Sequence, residues 1–168
     1  NFFRINKNFG LNVNFLEEKK PLGTAGSLFF LKKRKIEDKY IIVINGDVIT
    51  DLKLNKILSF HKENNFDFTM GCMNYQTHIP FGVIKNQKGK FDRIEEKPHI
   101  NKLVNAGIYV LNKSIIKKIK SFKFTTMLDL IEKINKNKIG LFQLYENEDW
   151  IDLGNKSDFL KIRKKLNN

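Results

Sequence analysis

Apolar and polar positions along the chain predict an alternation of strands and helices. Residues 40–45 are predicted to be a strand, because residues 40–44 are apolar and mostly β-branched, which is typical of a buried parallel strand. Residues 54–65 place Ile57 and Leu58 on an apolar face with helical spacing. The next apolar run, residues 66–72, predicts another strand, so the front of the chain alternates between the two element types.

The pattern changes after residue 80. Residues 81–85 and 90–95 are predicted to be short strands, joined by a turn signal at Lys88 and Gly89. The other predicted strands are 12–16, 103–111 and 139–145. The other predicted helices are 24–35, 114–120, 126–135 and 156–166.

This order of elements predicts an α/β fold of the doubly wound, Rossmann-like type, with a mixed sheet. The hairpin predicts a small antiparallel insertion that caps one end of the sheet. A length of 168 residues, without repeats or linkers, corresponds to one domain.

The front of the chain differs from a usual nucleotide-binding domain, which opens with a strand, a glycine-rich phosphate loop and a helix. Residue 1 is Asn, and none of the ten glycines lies in such a loop. We therefore expect residues 1–168 to be the C-terminal part of a single catalytic domain, truncated at its N-terminus. The alternative is a small complete domain of another kind.

The net charge of +13 raises the question of nucleic-acid binding. Arginine is the residue that such sites favour for bidentate contacts, yet only four of the 31 basic residues are arginines. We therefore expect no nucleic-acid partner. The positive field suits anionic small substrates instead.

Composition also limits the compartment and the chemistry. No apolar run approaches the roughly 20 residues of a membrane span, and no secretory leader is visible. Cys72 is the only cysteine, so no disulfide forms within the chain. These features predict a cytoplasmic protein without a membrane partner. Cys72 and the three histidines, His61, His78 and His99, form no recognisable metal pair or triad and are predicted to be structural.

Five short segments carry candidate chemistry. In residues 21–27, Gly23, Thr24, Ala25 and Gly26 stand at a predicted helix start, where free backbone N–H groups let a base or a phosphate approach. Capping by Thr24 and packing of Gly26 would explain the same residues. Residues 45–47, Asn-Gly-Asp, follow the apolar run. Asp47 can hold Mg²⁺ there, or can be a solvated turn residue.

The remaining segments are residues 80–84, residues 95–98, and the pair formed by residues 105–109 and 150–154. Gly82 allows close backbone contact or a bulge. Lys97, between Glu96 and a proline, can meet a phosphate or belong to a surface charge cluster. Asn105 is polar within an apolar strand, and Asp152 between apolar neighbours suits a cation.

Taken in order, these segments resemble the motifs of sugar-1-phosphate nucleotidyltransferases over the whole chain. Within that family the chain is similar to bacterial guanylyltransferases of the legionaminic acid type, which make precursors of surface glycans and often carry CBS modules before the catalytic domain. Residues 61–65 and 149–159 support this closer resemblance.

The resemblance implies a role for each matching residue. Gly23, Thr24, Ala25 and Gly26 lie against the nucleobase. Asp47 and Asp152 hold Mg²⁺, Lys97 contacts the sugar-1-phosphate, and Gly82, Glu96 and Asn105 hold the sugar. The implied reaction joins a nucleoside triphosphate, with GTP favoured, to a sugar-1-phosphate and releases pyrophosphate. The family's glycine-rich triphosphate loop is not found here, so the fragment alone is expected to be inactive. Homo-oligomerisation stays open.

Two other classes are weighed against this interpretation. Metal-dependent glycosyltransferases usually place two aspartates two residues apart at their metal, whereas Asp47 and Asp51 are four apart. A non-catalytic nucleotide-sugar-binding or regulatory module of the same fold would not need Asp47, Lys97 and Asp152 intact.

Overall fold

The computed structural model describes residues 12–34, 36–120, 123–145 and 150–154. The helix predicted at 156–166 lies outside the described residues. The described residues form two compact units, one made by the chain up to Lys39 with Lys113–Ile134, the other by Tyr40–Asn112 with the chain after Ile134. Within the described part, no helix has the length and apolar character that crossing a membrane requires.

A four-stranded mixed sheet is the centre of the second unit. Its strands, in order across the sheet, are β1 (Tyr40–Ile44), β6 (His99–Asn112), β3 (Phe68–His78) and β7 (Ile139–Gln143). Strand β6 runs antiparallel to both neighbours, and β7 runs parallel to β3. The predicted α/β fold with a mixed sheet is confirmed.

Two small sheets complete this unit. Strands β4 (Val83–Gln87) and β5 (Lys90–Glu95) form the predicted antiparallel hairpin. Its turn residues have positive φ, 50° at Lys88 and 83° at Gly89, as a two-residue hairpin turn of type I′ requires. Strands β2 (Val48–Thr50) and β8 (Trp150–Asp152) form the second pair, which the sequence pattern did not predict.

Helix α1 (Leu54–Glu63) covers one face of the mixed sheet, as its apolar face predicts. Ile57 is completely buried in a core with Ile108 and Val110 of β6 and Phe142 of β7. Side chains at alternate positions of the strands point to the opposite face of the sheet, where the rings of Phe68 and Tyr109 lie 5.7 Å apart.

His61 and Cys72 are buried in this unit, in agreement with their predicted structural role. His61 joins helix and sheet, because its Nδ1 lies 2.8 Å from Thr69 Oγ1 and its Nε2 lies 3.3 Å from Asn112 Oδ1. Burial raises the pKa of the Cys72 thiol, which keeps it protonated and unreactive.

The first unit contains short helices. They are 3₁₀ helices at Gly26–Lys33 and Lys113–Lys118, and α2 (Met127–Ile131). All are shorter than predicted. Helix α2 begins with a capping box, in which Thr126 and Asp129 each accept a bond from the other's backbone N–H. The bonds that the Asp129 carboxylate accepts from the backbone N–H and the hydroxyl of Thr126 lower the pKa of that carboxyl.

One strand prediction is wrong, and another is wrong in part. Residues 12–16 form no strand, because no neighbouring strand among the described residues pairs with them, and Phe15 and Leu16 are exposed. Strand β1 exists, but it pairs antiparallel with β6 and is only half-buried. A run of β-branched residues indicates a strand, but it carries no information on the direction of the neighbouring strand.

Gly140, the single glycine of β7, is expected to tolerate a side chain poorly. A Cβ at this position would lie 2.4 Å from the ring of Phe66, which packs on Phe60. Gly140→Ala should therefore lower the free energy of unfolding by about 1–3 kcal/mol, the usual cost of overpacking. Chemical denaturation measures the change. Gly46→Ala is the control, since a Cβ there meets nothing within 4 Å. An equal loss in both variants would contradict the packing argument.

Candidate functional site

Asp47 and Asp152 are brought together by the pairing of β2 with β8. Val48, the residue after Asp47, lies opposite Asp152, and the backbone N–H of Leu153 donates to the carbonyl oxygen of Asp47 at 2.8 Å. A Cβ placed on Gly154 would lie 3.0 Å from Asp152 Oδ1 and 3.8 Å from Asp47 Oδ2. Both carboxylates therefore lie beside the same point, and the distance between Asp152 Oδ1 and Asp47 Oδ2 cannot exceed the sum of these two distances.

The two carboxylates fit a hard divalent cation. Mg²⁺ is usually bound by one or two carboxylates together with substrate phosphates, rather than by a complete cage of side chains. Among the described residues, no group of three or more His, Cys, Asp or Glu side chains is placed to hold a metal.

Glycine is required where β6 passes this pair. Gly107 has a φ of 70°, and a Cβ there would lie 2.8 Å from Asn45 Nδ2 and 3.1 Å from Val48 Cγ2. The N–H of Asn45 donates to the carbonyl oxygen of Gly107 at 2.9 Å. The close approach brings the residue 45–47 segment against the residue 105–109 segment.

Asn105 belongs to a β-bulge in β6. Met70 lies opposite Tyr109 and Cys72 opposite Asn105, so three residues of β6 face Gly71. The Asn105 side chain closes the bulge: its Oδ1 accepts from the N–H of Gly107 at 3.0 Å, and its Nδ2 donates to Tyr109 Oη at 2.7 Å. Bulges re-aim side chains beside functional sites. The amide is thus held in one orientation while it stays exposed.

Gly82, Glu96 and Lys97 form a second group at the base of the β4–β5 hairpin. A Cβ on Gly82 would lie 3.1 Å from Glu96 Oε2 and 2.9 Å from Ile94 Cδ1, so glycine lets the chain pass close to the carboxylate. Glu95, by contrast, is engaged by Arg93 at 3.2 Å. Of the two neighbouring carboxylates, Glu96 is the one beside Gly82.

Lys97 has an unusual backbone conformation. Its φ is 45°, although it is not glycine and precedes Pro98, a position where residues are normally extended. It is exposed and makes no salt bridge within the described part of the chain. Such strain clusters at functional sites.

The predicted nucleobase residues lie in the first unit. Gly23 has a φ of 78°, and a Cβ on it would lie 2.7 Å from the carbonyl oxygen of Thr125. Thr24 does not cap its own helix, which begins at Gly26 after an Ala25 N-cap; its Oγ1 instead accepts from the first N–H of α2, at Met127, at 2.8 Å. Gly26 packs against Leu22. The turn is therefore closely packed, since a Cβ on Gly26 would lie 2.6 Å from Leu22 Cβ.

Three features of the sites were missed from the sequence. Trp150 Nε1 donates to the carbonyl oxygen of Ala106 at 2.7 Å and so ties β8 to the bulge. The bulge itself has Gly107 as its only sequence signal. His78 and His99, predicted to form no recognisable metal pair or catalytic triad, lie opposite each other with ring centroids 5.0 Å apart. The sequence did not indicate this proximity, because 21 residues separate the two positions and only the strand register joins them.

Comparisons with known proteins agree with the motifs. The model of the family described as nucleotidyl transferase matches residues 2–168. A mannose-1-phosphate guanyltransferase of Yarrowia lipolytica is 32% identical in an alignment of length 170 that covers 94% of this chain and 44% of that protein. One from Pichia angusta is 34% identical in an alignment of length 164 that covers 92% of this chain and 44% of that protein. The chain thus spans less than half the length of these relatives.

A solved structure shows the same architecture. HddC from Yersinia pseudotuberculosis in complex with GMP-PN has a TM-score of 0.69 and 25% sequence identity, covering 98% of this chain and 74% of that one. The agreement confirms the predicted Rossmann-like fold class.

Proposed function

Because this chain belongs to the nucleotidyl transferase family of sugar-1-phosphate nucleotidyltransferases, we propose that the full-length protein joins a nucleoside triphosphate to a sugar-1-phosphate and releases pyrophosphate. The observation that carries the proposal is the convergence of Asp47 and Asp152 on one point beside Gly154. Two carboxylates in this arrangement are suited to a cation shared with phosphate groups.

The described residues can supply binding and orientation for this reaction. A phosphate oxygen of the sugar-1-phosphate must attack the α-phosphorus of the triphosphate, and the two anions repel each other. Mg²⁺, held by Asp47 and Asp152, would supply positive charge against this repulsion. Lys97 would add a second positive charge at the sugar phosphate, while Gly82, Glu96 and Asn105 would orient the sugar. Positioning and electrostatics suffice for such a transfer without a protein nucleophile.

GTP is the proposed nucleotide, with its base against the turn from Gly23 to Gly26. The support is that the relatives are named mannose-1-phosphate guanyltransferases and that a structural neighbour was solved with GMP-PN. The product would be a nucleoside-diphosphate sugar, which we place in the synthesis of surface-glycan precursors.

A pyrophosphate-release assay tests the proposal. The full-length protein is mixed with Mg²⁺, each of the four nucleoside triphosphates and a panel of sugar-1-phosphates. We expect turnover of about 1–10³ per second with GTP and at least one sugar-1-phosphate, the usual range for enzymes. Binding of nucleotide without pyrophosphate release from any pair would instead favour a binding or regulatory module.

A further inference from the structure

His78 and His99 form a cross-strand pair at the end of the long ribbon of β3 and β6. They lie directly opposite each other in the register of the two strands. The next pair outward is joined by a backbone bond, in which the N–H of Ile79 donates to the carbonyl oxygen of Pro98 at 3.1 Å. Because bonded and non-bonded pairs alternate in an antiparallel ladder, the histidines occupy a non-hydrogen-bonded pair, where side chains approach most closely.

The distance between the two rings suits a shared metal ion. The ring centroids are 5.0 Å apart, and the ring planes meet at 43°. A zinc–nitrogen distance of about 2.0–2.1 Å puts the ion about 3.2 Å from each centroid, so two imidazoles on one tetrahedral ion have centroids about 5.2 Å apart. Both side chains are exposed and can rotate into the chelating orientation.

We propose that His78 and His99 together bind a divalent transition-metal ion of the Zn²⁺ type, at a site separate from the carboxylate pair of Asp47 and Asp152. Neutral imidazole is a preferred ligand of zinc, copper and nickel, whereas Mg²⁺ prefers oxygen. The two sites therefore select different ions. Water or other exposed groups complete the coordination of an ion held by two imidazoles.

The position of the pair gives the bound ion a local structural effect. His78 leads into the segment that carries Gly82, and His99 follows the segment that carries Glu96 and Lys97. An ion on both rings would cross-link the two chain segments at the base of the β4–β5 hairpin. Amide exchange in residues 79–98 should consequently slow when the ion binds.

Within residues 1–168, few other side chains can compete for the ion. These residues include only three histidines and one cysteine, and the remaining two of these, His61 and Cys72, are buried. The full-length protein is titrated with Zn²⁺ by calorimetry, with Mg²⁺ in excess to occupy oxygen sites. The same titration is applied to His78→Asn, His99→Asn and His78→Phe, the last of which keeps an aromatic ring opposite His99 without a metal ligand.

We expect the wild-type protein to bind a Zn²⁺ at least about tenfold more tightly than each of the three variants, since the second imidazole acts at high effective concentration. Cu²⁺ bound to the wild type should show two nitrogen ligands by electron paramagnetic resonance, and one in His78→Asn. Slower amide exchange at residues 79–98 should accompany Zn²⁺ binding in the wild type alone.

Equal Zn²⁺ affinity in the wild type and the variants would overturn the proposal, as would a single nitrogen ligand on Cu²⁺ in the wild type. If His78→Phe still binds Zn²⁺ tightly, the pair is not the metal site, and the contact between the two rings is aromatic packing only. Circular dichroism of each variant checks that a lost affinity does not come from a lost fold.

Discussion

Asp47→Asn in the full-length protein is expected to lower the rate of pyrophosphate release by about 100-fold or more, the scale of losing a preorganised electrostatic group at a reacting centre. The amide keeps the size of the side chain but removes the negative charge that faces the shared point beside Gly154. The backbone bond from Leu153 to the carbonyl oxygen of residue 47 does not depend on the side chain. The loss should therefore appear in turnover, with the fold intact.

The thermal stability of this variant should not fall with its activity. Asp47 and Asp152 are like charges facing one point, so they repel each other when no cation lies between them. Removing one charge should leave the thermal midpoint in metal-free buffer equal to that of the wild type or above it. Calorimetry and the pyrophosphate assay measure the two quantities on the same sample.

Asp51→Asn is the matched control, because Asp51 is also exposed and lies four residues further along the chain, beyond β2. It should retain wild-type turnover. If both variants lose activity equally, the effect comes from general charge rather than from a shared cation site. A wild-type rate in Asp47→Asn would remove the carboxylate pair from the proposed mechanism.

Much of the fold follows from local pattern. The helical face of Ile57 and Leu58 predicted α1, and the turn signal at Lys88 and Gly89 predicted the hairpin, because these signals arise within a few residues. The antiparallel direction of β1 could not be predicted, since its partner β6 begins more than 50 residues later. The β2–β8 pair was missed because each strand has three residues, which are too few to show an alternation of apolar and polar positions.

The candidate site, too, could be predicted from the sequence only in part. Asp47 and Asp152 were selected by their motifs, and the structure adds that their carboxylates face one point. The bulge that Asn105 closes has only Gly107 as a sequence signal, because a bulge is a property of two strands in register. The His78–His99 pair was missed because side chains opposite each other in a ribbon can be far apart in sequence.

The backbone of Lys97 provides a second test of the site that the sequence alone could not suggest. A left-handed conformation costs a non-glycine residue roughly 1–2 kcal/mol. Lys88 has nearly the same φ, 50° against 45° for Lys97, and it is also exposed. The two lysines thus carry the same charge in similar conformations, one at the tip of the hairpin and one at its base. Each can therefore serve as the control for the other.

Lys97→Met is expected to lower kcat/KM for the sugar-1-phosphate by about 10- to 100-fold, since a hydrogen bond to a charged group contributes about 1.5–3 kcal/mol. The KM for the nucleotide should stay near that of the wild type. Lys88→Met should leave both constants unchanged. Lys97→Gly and Lys88→Gly should each raise the free energy of unfolding by relieving the positive φ, but only Lys97→Gly should lose activity. Steady-state kinetics and denaturant titration of the four variants give both readouts. If Lys97→Gly gains stability without a kinetic loss, Lys97 is a strained surface residue and does not contact the phosphate.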